Sequence, residues 1–344
     1  MGLAFTCRAA ARASLVTAIM GVQAVVAQPA EQFYQGKALE LFVGYATGGS
    51  NDLYARAVSR HLGRHVPGEP TIVVKHMPGA GSKAAANHIF NVAPQDGTVL
   101  GLLAATLPLE GKLGLPGVRF DAAKFNWLGR VGSGINVTMM RHDAPVKKIE
   151  DLLYQEATLS ATTAGGPIYL FPYVLNNLIG TKFKIILGYP GSAQAMLAME
   201  RGETEGHSTA VEAVKLVHPD WISEKKVKFI VQYGFQKHPD LPDVPLAINL
   251  ARNDEERTIL RAVLSSAEVG KSVVTGPGVP RERVTSLREA FDRMVADPPF
   301  AAELTAQRVG VEPMSGKDLA NLVDEIAAIS PSMLDKIRKV YGSN

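Results

Sequence analysis

Apolar residues in this chain fall into short runs separated by glycine turns and helical stretches, and the alternation is most regular near the start. Leu39, Leu41, Phe42, Val43 and Tyr45 form a run too short for a helix, with aromatic and β-branched members and a boundary at Gly48-Gly49, which predicts a buried strand. Ser50, Asn51 and Asp52 are capping types, and Tyr54, Val58 and Leu62, with Leu53 and Ala57 beside them, follow at helical spacing. Asp52 stands in the first turn while Arg56, Arg60, Arg64 and His65 gather toward the end, the charge order that complements a helix dipole. Residues 39–65 thus read as a strand that runs through a glycine turn into a helix N-terminus. Unpaired N–H groups there can hold a carboxylate or phosphate, and an ordinary capped βα turn has the same pattern.

The pattern repeats downstream. Residues 71–74 read as a strand, Met77-Pro78-Gly79-Ala80-Gly81-Ser82 as a second glycine turn, 83–91 as a helix, and Asp96-Gly97 as a turn into a strand over 99–103. This βαβαβ order predicts a parallel sheet whose ligands gather beyond the carboxyl ends of its strands, so both glycine turns, and Thr106 just past the third strand, belong on one rim. Strands are expected at 125–129 and 136–140, with a short helix at 147–153. A second set of strand-turn-helix units follows: 158–161 into Thr162-Thr163-Ala164-Gly165-Gly166-Pro167 and an aromatic-rich helix, then 184–187 into Gly188-Tyr189-Pro190-Gly191-Ser192 and a helix over 193–199. Two such sets imply two α/β lobes. Strands at 227–231 and 269–274, and helices at 254–266, 281–295, 298–308 and 317–340, complete the chain, with Ser315 and Asp318 at capping-box spacing before the last.

Composition narrows the setting. Arg8 and Arg12 precede a stretch of small and aliphatic residues from Ala13 to Val26, and Val25-Val26-Ala27 offers a cleavage site, so 1–27 read as a secretory signal peptide too short and too weakly apolar to span a membrane. Cys7, the one cysteine, lies before the apolar core and is not placed for lipid attachment; an exported chain without further cysteine suits a bacterial periplasm. The formal net charge is +3, of which Arg8 and Arg12 supply two, and no basic run marks a nucleic-acid footprint. No later stretch is long and apolar enough to cross a bilayer.

Several catalytic look-alikes fail on residue type. Gly44 and Gly49 have P-loop spacing, but Ser50-Asn51 stands where the phosphate-gripping lysine belongs. Gly79, Gly81 and Ala84 match a relaxed dinucleotide fingerprint without the acid that should end the next strand. His61 and His65 share a helix face but lack a metalloprotease glutamate or any second half of a metal cage, so no metal is expected. The sharper rival is Gly206-His207-Ser208-Thr209-Ala210, close to a nucleophile elbow and followed by His218, Asp220, His238 and Asp243; against it stand a poor strand at Glu203-Thr204-Glu205 and no oxyanion segment upstream.

The whole chain from about Tyr34 onward resembles the solute receptors of tripartite tricarboxylate transporters, the TctC-like or Bug-type periplasmic binding proteins. The resemblance rests on Tyr45-Ala-Thr-Gly48-Gly49-Ser-Asn-Asp52, Met77-Pro78-Gly79-Ala80-Gly81, Ala93-Pro94-Gln95-Asp96-Gly97-Thr98, Tyr189-Pro190-Gly191-Ser192-Ala193 with Gly202-Glu203, and Gly276-Pro277-Gly278-Val279-Pro280, in that order. It implies a type II periplasmic-binding-protein fold: two α/β lobes joined by two crossing strands, with a ligand cleft between them. The lobes would be 28–130 with 240–344, and 131–239, with crossings near 129–136 and 233–243 and the C-terminal helices on the first lobe. It implies ligand contacts at Ala46, Thr47, Gly48, Gly49, Asp52, Gly79, Ala80, Gly81, Thr163, Ala164, Gly165, Tyr189, Gly191, Ser192 and Ala193, with Thr106 on the same rim and Asp52 bracing the turn. Ala46-Thr47 replaces a proline pair, His76-Met77 replaces asparagine-arginine, and Pro190 stands at a polar position; without that arginine, backbone N–H groups and hydroxyls carry more of the anion. Tyr169, Phe171, Tyr173 and Tyr189 would suit a flat ligand, and such residues at helical spacing serve at least as often as helix core. The implied protein is a monomer that uses no cofactor and does no chemistry, passing a small organic acid, possibly aromatic or a dicarboxylate, to membrane permease subunits. An exported serine hydrolase using Ser208, and a periplasmic sensor feeding a membrane kinase, are the alternatives.

Overall fold

The computed structural model describes residues 1–2, 30–164 and 166–342. The signal-peptide reading, including its cleavage site, falls on 3–29, outside the described residues.

The first third alternates as the apolar pattern predicts. Ala30–Tyr34 (α1) leads to Ala38–Val43 (β1), Ser50–His61 (α2), Thr71–His76 (β2), Lys83–Asn91 (α3), Val99–Leu102 (β3) and Leu107–Leu113 (α4). Asn126–Gly132 (β4), Asn136–Arg141 (β5) and Ala157–Ser160 (β6) follow, then Pro167–Ile179 (α5), Phe183–Ile186 (β7) and Ser192–Glu200 (α6). Gly206–Ala210 (β8), Val211–Val217 (α7), Pro219–Ser223 (α8), Val227–Tyr233 (β9), Asp254–Val269 (α9) and Lys271–Thr275 (β10) bring the chain to its helical end. That end comprises Arg281–Val295 (α10), Pro298–Ala306 (α11), the two-residue strand Met314–Ser315 (β11), Gly316–Ala327 (α12) and Pro331–Tyr341 (α13).

The strands form two sheets. One has the order β11-β4-β10-β3-β1-β2 and the other β7-β6-β8-β5-β9. β1 pairs in parallel with β2 and β3, and β6 with β7 and β8, so each sheet has a parallel part whose carboxyl ends form a rim. The strands that carry the chain between sheets pair antiparallel with neighbours, β4 and β10 in the first and β5 and β9 in the second, and the short β11 adds antiparallel to β4 at the edge. Ser133-Gly134-Ile135 link β4 directly to β5. The return is drawn out beyond 233–243, because Gln232 still pairs with Leu246 and the chain rejoins the first sheet only through α9, at Lys271.

Packing follows the sequence's apolar faces. Leu39, Leu41, Val43, Leu53, Tyr54 and Val58 bury between β1 and α2 with Leu287 and Phe291 of α10. Ser315 caps α12 as the spacing predicts, accepting the Asp318 N–H at 3.1 Å. The helix expected over 317–340 is two helices, because Pro331 cannot continue the first and Ser330 caps the second, accepting from the Met333 N–H at 3.4 Å. α12 lies on β4, but α13 does not confine itself to the first sheet's side: Arg338 donates to the Leu113 carbonyl of α4 at 3.1 Å, and Asn177 of α5 donates to the Val340 carbonyl at 2.7 Å.

Candidate functional site

The loops after β1, β2 and β3 meet those after β6, β7 and β8 around a single cavity of about 160 Å³, a size class that admits a molecule of roughly benzene dimensions. Its walls contain the starts of four helices: Gly49, Ser50 and Asn51 for α2, Gly81 and Ser82 for α3, Gly166, Pro167 and Ile168 for α5, and Gly191 and Ser192 for α6. The α2 and α6 caps are Gly49 and Gly191, and no side chain caps either helix, so their first-turn N–H groups are left for a ligand. Such ends carry partial positive charge and favour an anion.

The first turn is built for close backbone approach. Gly48 has φ +86°, a conformation that a side chain would strain, and its N–H donates to Asp52 Oδ2 at 2.9 Å. Arg56 Nε and His76 Nε2 reach Asp52 Oδ1, each at 2.8 Å, so both carboxylate oxygens are engaged within the turn. Burial would raise the Asp52 pKa, but the Gly48 N–H, His76 and the Arg56 charge outweigh it and hold the carboxyl below its ordinary value. Gly44 makes room behind the turn, since a Cβ there would overlap the Ser82 hydroxyl, which accepts from the Ala104 N–H at 3.1 Å.

On the opposite rim a buried histidine organises the polar wall. His207 of β8 is fully buried; its Nδ1 lies 2.8 Å from the Ser160 carbonyl and its Nε2 3.1 Å from Ser192 Oγ, which in turn lies 2.7 Å from Thr209 Oγ1. Burial pushes the imidazole pKa down to about 4 against the opposing bond to Ser160, so the ring is neutral at pH 7. Ser192 and Thr209 both line the cavity.

Among the described residues one charged side chain reaches the cavity wall: Lys271, the first residue of β10. Its ammonium meets Glu212 Oε2 of α7 at 2.8 Å and the Ser133 carbonyl, with the two side chains only 4% and 5% exposed. The cleft floor is therefore crossed by a buried ion pair joining the first sheet to a helix of the second, and the wall's formal charge is cancelled there.

Of the residues expected in the site, Ala46, Thr47, Gly49, Gly79, Gly81, Thr163, Gly191 and Ser192 line the cavity. Gly48, Asp52, Ala80, Ala164 and Ala193 sit in the same turns or their helices without lining it. Thr106 is buried, its hydroxyl without a hydrogen-bond partner, and Tyr189 turns toward Glu203, to which its hydroxyl donates at 3.4 Å. Gly165 lies outside the described residues. The cavity adds Asn136, Thr209 and Lys271, three polar residues on strands rather than on glycine turns.

Ser208 is not at an elbow. A nucleophile elbow exposes its serine at a strand-to-helix turn; Ser208 is mid-strand in β8, fully buried, and accepts from Thr138 Oγ1 at 3.3 Å. Glu203-Thr204-Glu205 is a bend and not a strand, as its composition predicts, and the strand that follows it, Gly206–Ala210, occupies the middle of its sheet. The aromatic residues also pack elsewhere: Phe171 stacks on Tyr233 at 4.9 Å between centroids, Tyr169 on Tyr173 at 5.1 Å, and neither pair lines the cavity. Among the described residues no cluster of three or more His, Cys, Asp or Glu could hold a metal ion, and no helix is long and apolar enough to cross a membrane.

No protein-family model matches the chain. It is 23% identical over 333 residues to the UPF0065 protein in the gbd 5′ region of Cupriavidus necator, covering 93% of this chain and 94% of that one. Its structure is similar to that of the periplasmic binding protein BugD, with a TM-score of 0.71, 20% identity, and 89% and 98% of the two chains covered. It is also similar to MatC from Rhodopseudomonas palustris with bound malate, with a TM-score of 0.69, 20% identity, and 87% and 99% covered.

Proposed function

We propose that this chain, which has the fold of the Bug-type binding proteins, is a periplasmic receptor that captures a small organic acid and delivers it to the permease subunits of a tripartite tricarboxylate-type transporter. Its lobes are 28–130 with 240–344, and 131–239, with 240–246 still held against β9 of the second sheet, and 1–27 direct its export. The observation that carries the reading is the meeting of two rims of helix N-termini around one small cavity whose single charged liner is already paired. Such a cavity attracts an anion through backbone N–H groups and dipoles. The malate held by MatC, a protein of the same fold, is a ligand of the chemistry this cavity suits.

In this reading Gly49, Ser50 and Asn51 hold one carboxylate, Gly191 and Ser192 hold the other end of the ligand, and Asp52 keeps the first turn in shape. Calorimetric titration with mono- and dicarboxylates of two to six carbons is the test. At least one acid of this series is expected to bind stoichiometrically; heat from none of them would refute the receptor reading.

A further inference from the structure

We infer that the second rim selects a hydroxy acid, a ligand with a hydroxyl group beside its carboxylate, because the side-chain hydroxyls facing the cavity are wired to accept hydrogen bonds. The inference rests on the receptor reading and concerns what that site prefers. His207 Nδ1 faces the Ser160 carbonyl at 2.8 Å, an oxygen that can only accept, so Nδ1 carries the ring's proton. Nε2 is then a buried bare acceptor, and leaving it unmet would be costly. Ser192 Oγ, 3.1 Å away, is the donor that meets it, which turns the one Ser192 hydroxyl hydrogen away from the cavity. Thr209 Oγ1 lies 2.7 Å from Ser192 Oγ, and with the Ser192 hydrogen engaged, Thr209 has to be the donor in that contact. The hydrogens run inward from Thr209 to Ser192 to His207 to the Ser160 carbonyl, and lone pairs are what the two hydroxyls present to the cavity.

A carboxylate has no hydrogen to give those lone pairs, but a neighbouring hydroxyl does. At the start of α6, Ser192 carries both an uncapped backbone N–H and the hydroxyl oxygen, a donor and an acceptor on one residue, which matches a carboxylate beside a hydroxyl. An ammonium in place of the hydroxyl would also donate, but it would sit among helix N-termini that disfavour positive charge.

Malate, succinate and aspartate, which share a four-carbon diacid frame and differ at one substituent, separate these cases by calorimetry. The parent is expected to bind malate on the order of tenfold more tightly than succinate, the factor of about one net hydrogen bond, and more tightly than aspartate. In Ser192→Ala/Thr209→Val the malate-to-succinate ratio falls to within about twofold of one, and a change in folded fraction does not move that ratio. Nitrogen-15 NMR of ligand-free protein at pH 7 is expected to show His207 protonated on Nδ1 and bare on Nε2. A proton on Nε2, equal affinity for malate and succinate in the parent, tighter binding of aspartate than malate, or a preference that survives the double substitution would overturn the inference. Failure of every acid in the two-to-six-carbon series to bind would overturn the receptor reading, whereas the tautomer, read without ligand, decides the wiring by itself.

Discussion

Gly49→Val is expected to weaken carboxylate binding by about a hundredfold or more, which corresponds to roughly 3 kcal/mol, while the protein stays folded. Gly49 has φ −99° and ψ 175°, an extended conformation in which valine is comfortable, and a Cβ built on it meets no atom within 4 Å. Gly49 lines the cavity, so an isopropyl group there is expected to take volume a ligand would fill, beside the N–H groups that would hold its carboxylate. Its neighbour Gly48 is the opposite case: φ +86° demands glycine, and a side chain there strains the turn itself. Calorimetry and thermal melting on the same Gly49→Val sample separate the effects. An affinity within about threefold of the parent would mean that ligand does not sit against the first turn.

Lys271→Met is expected to have the largest effect on stability, a loss of about 3–5 kcal/mol, because it leaves the buried Glu212 carboxylate without its partner. Replacing both partners, Lys271→Met with Glu212→Leu, should recover most of that loss, since two apolar groups need no partner. Urea denaturation of the two variants against the parent is the check; a double variant as unstable as the single would show that the damage comes from packing at the start of β10 and not from the stranded carboxylate. The pair ties β10 of the first sheet to α7 of the second and to the Ser133 carbonyl in the link between β4 and β5. The double variant therefore also reports how far this tie sets the relative position of the two rims when a ligand binds.

What could be read from the chain was local. Gly48-Gly49, Met77 to Ser82, and Gly188 to Ser192 are turns because glycine and proline punctuate short apolar runs, and each determinant lies within a few residues of the next. β8 was hidden because Gly-His-Ser-Thr-Ala has no apolar alternation; it is a central strand only because Thr138, Ser160 and Ser192 supply partners from distant segments. Lys271 falls inside the strand expected at 269–274, and nothing nearby announces Glu212, 59 positions away, as its buried partner. The aromatic residues of α5 looked like a ligand wall since an inward face and a cleft face have the same helical period. Phe171 belongs to the core, stacked on Tyr233. Ser330-Pro331 is a helix stop legible in the sequence, and the apolar period of Leu319, Leu322, Ile326 and Ile329 ends just before it.

The central claim is that one small organic acid is held from both rims at once by backbone N–H groups at helix starts. Amide chemical shifts in a nitrogen-15 labelled sample, followed while a binding carboxylate is titrated to saturation, test it most directly. The account predicts that Gly49, Ser50 and Asn51 at the start of α2, and Gly191 and Ser192 at the start of α6, shift together along one binding curve. Shifts confined to one rim, or saturation that leaves both sets of amides unmoved, would contradict it.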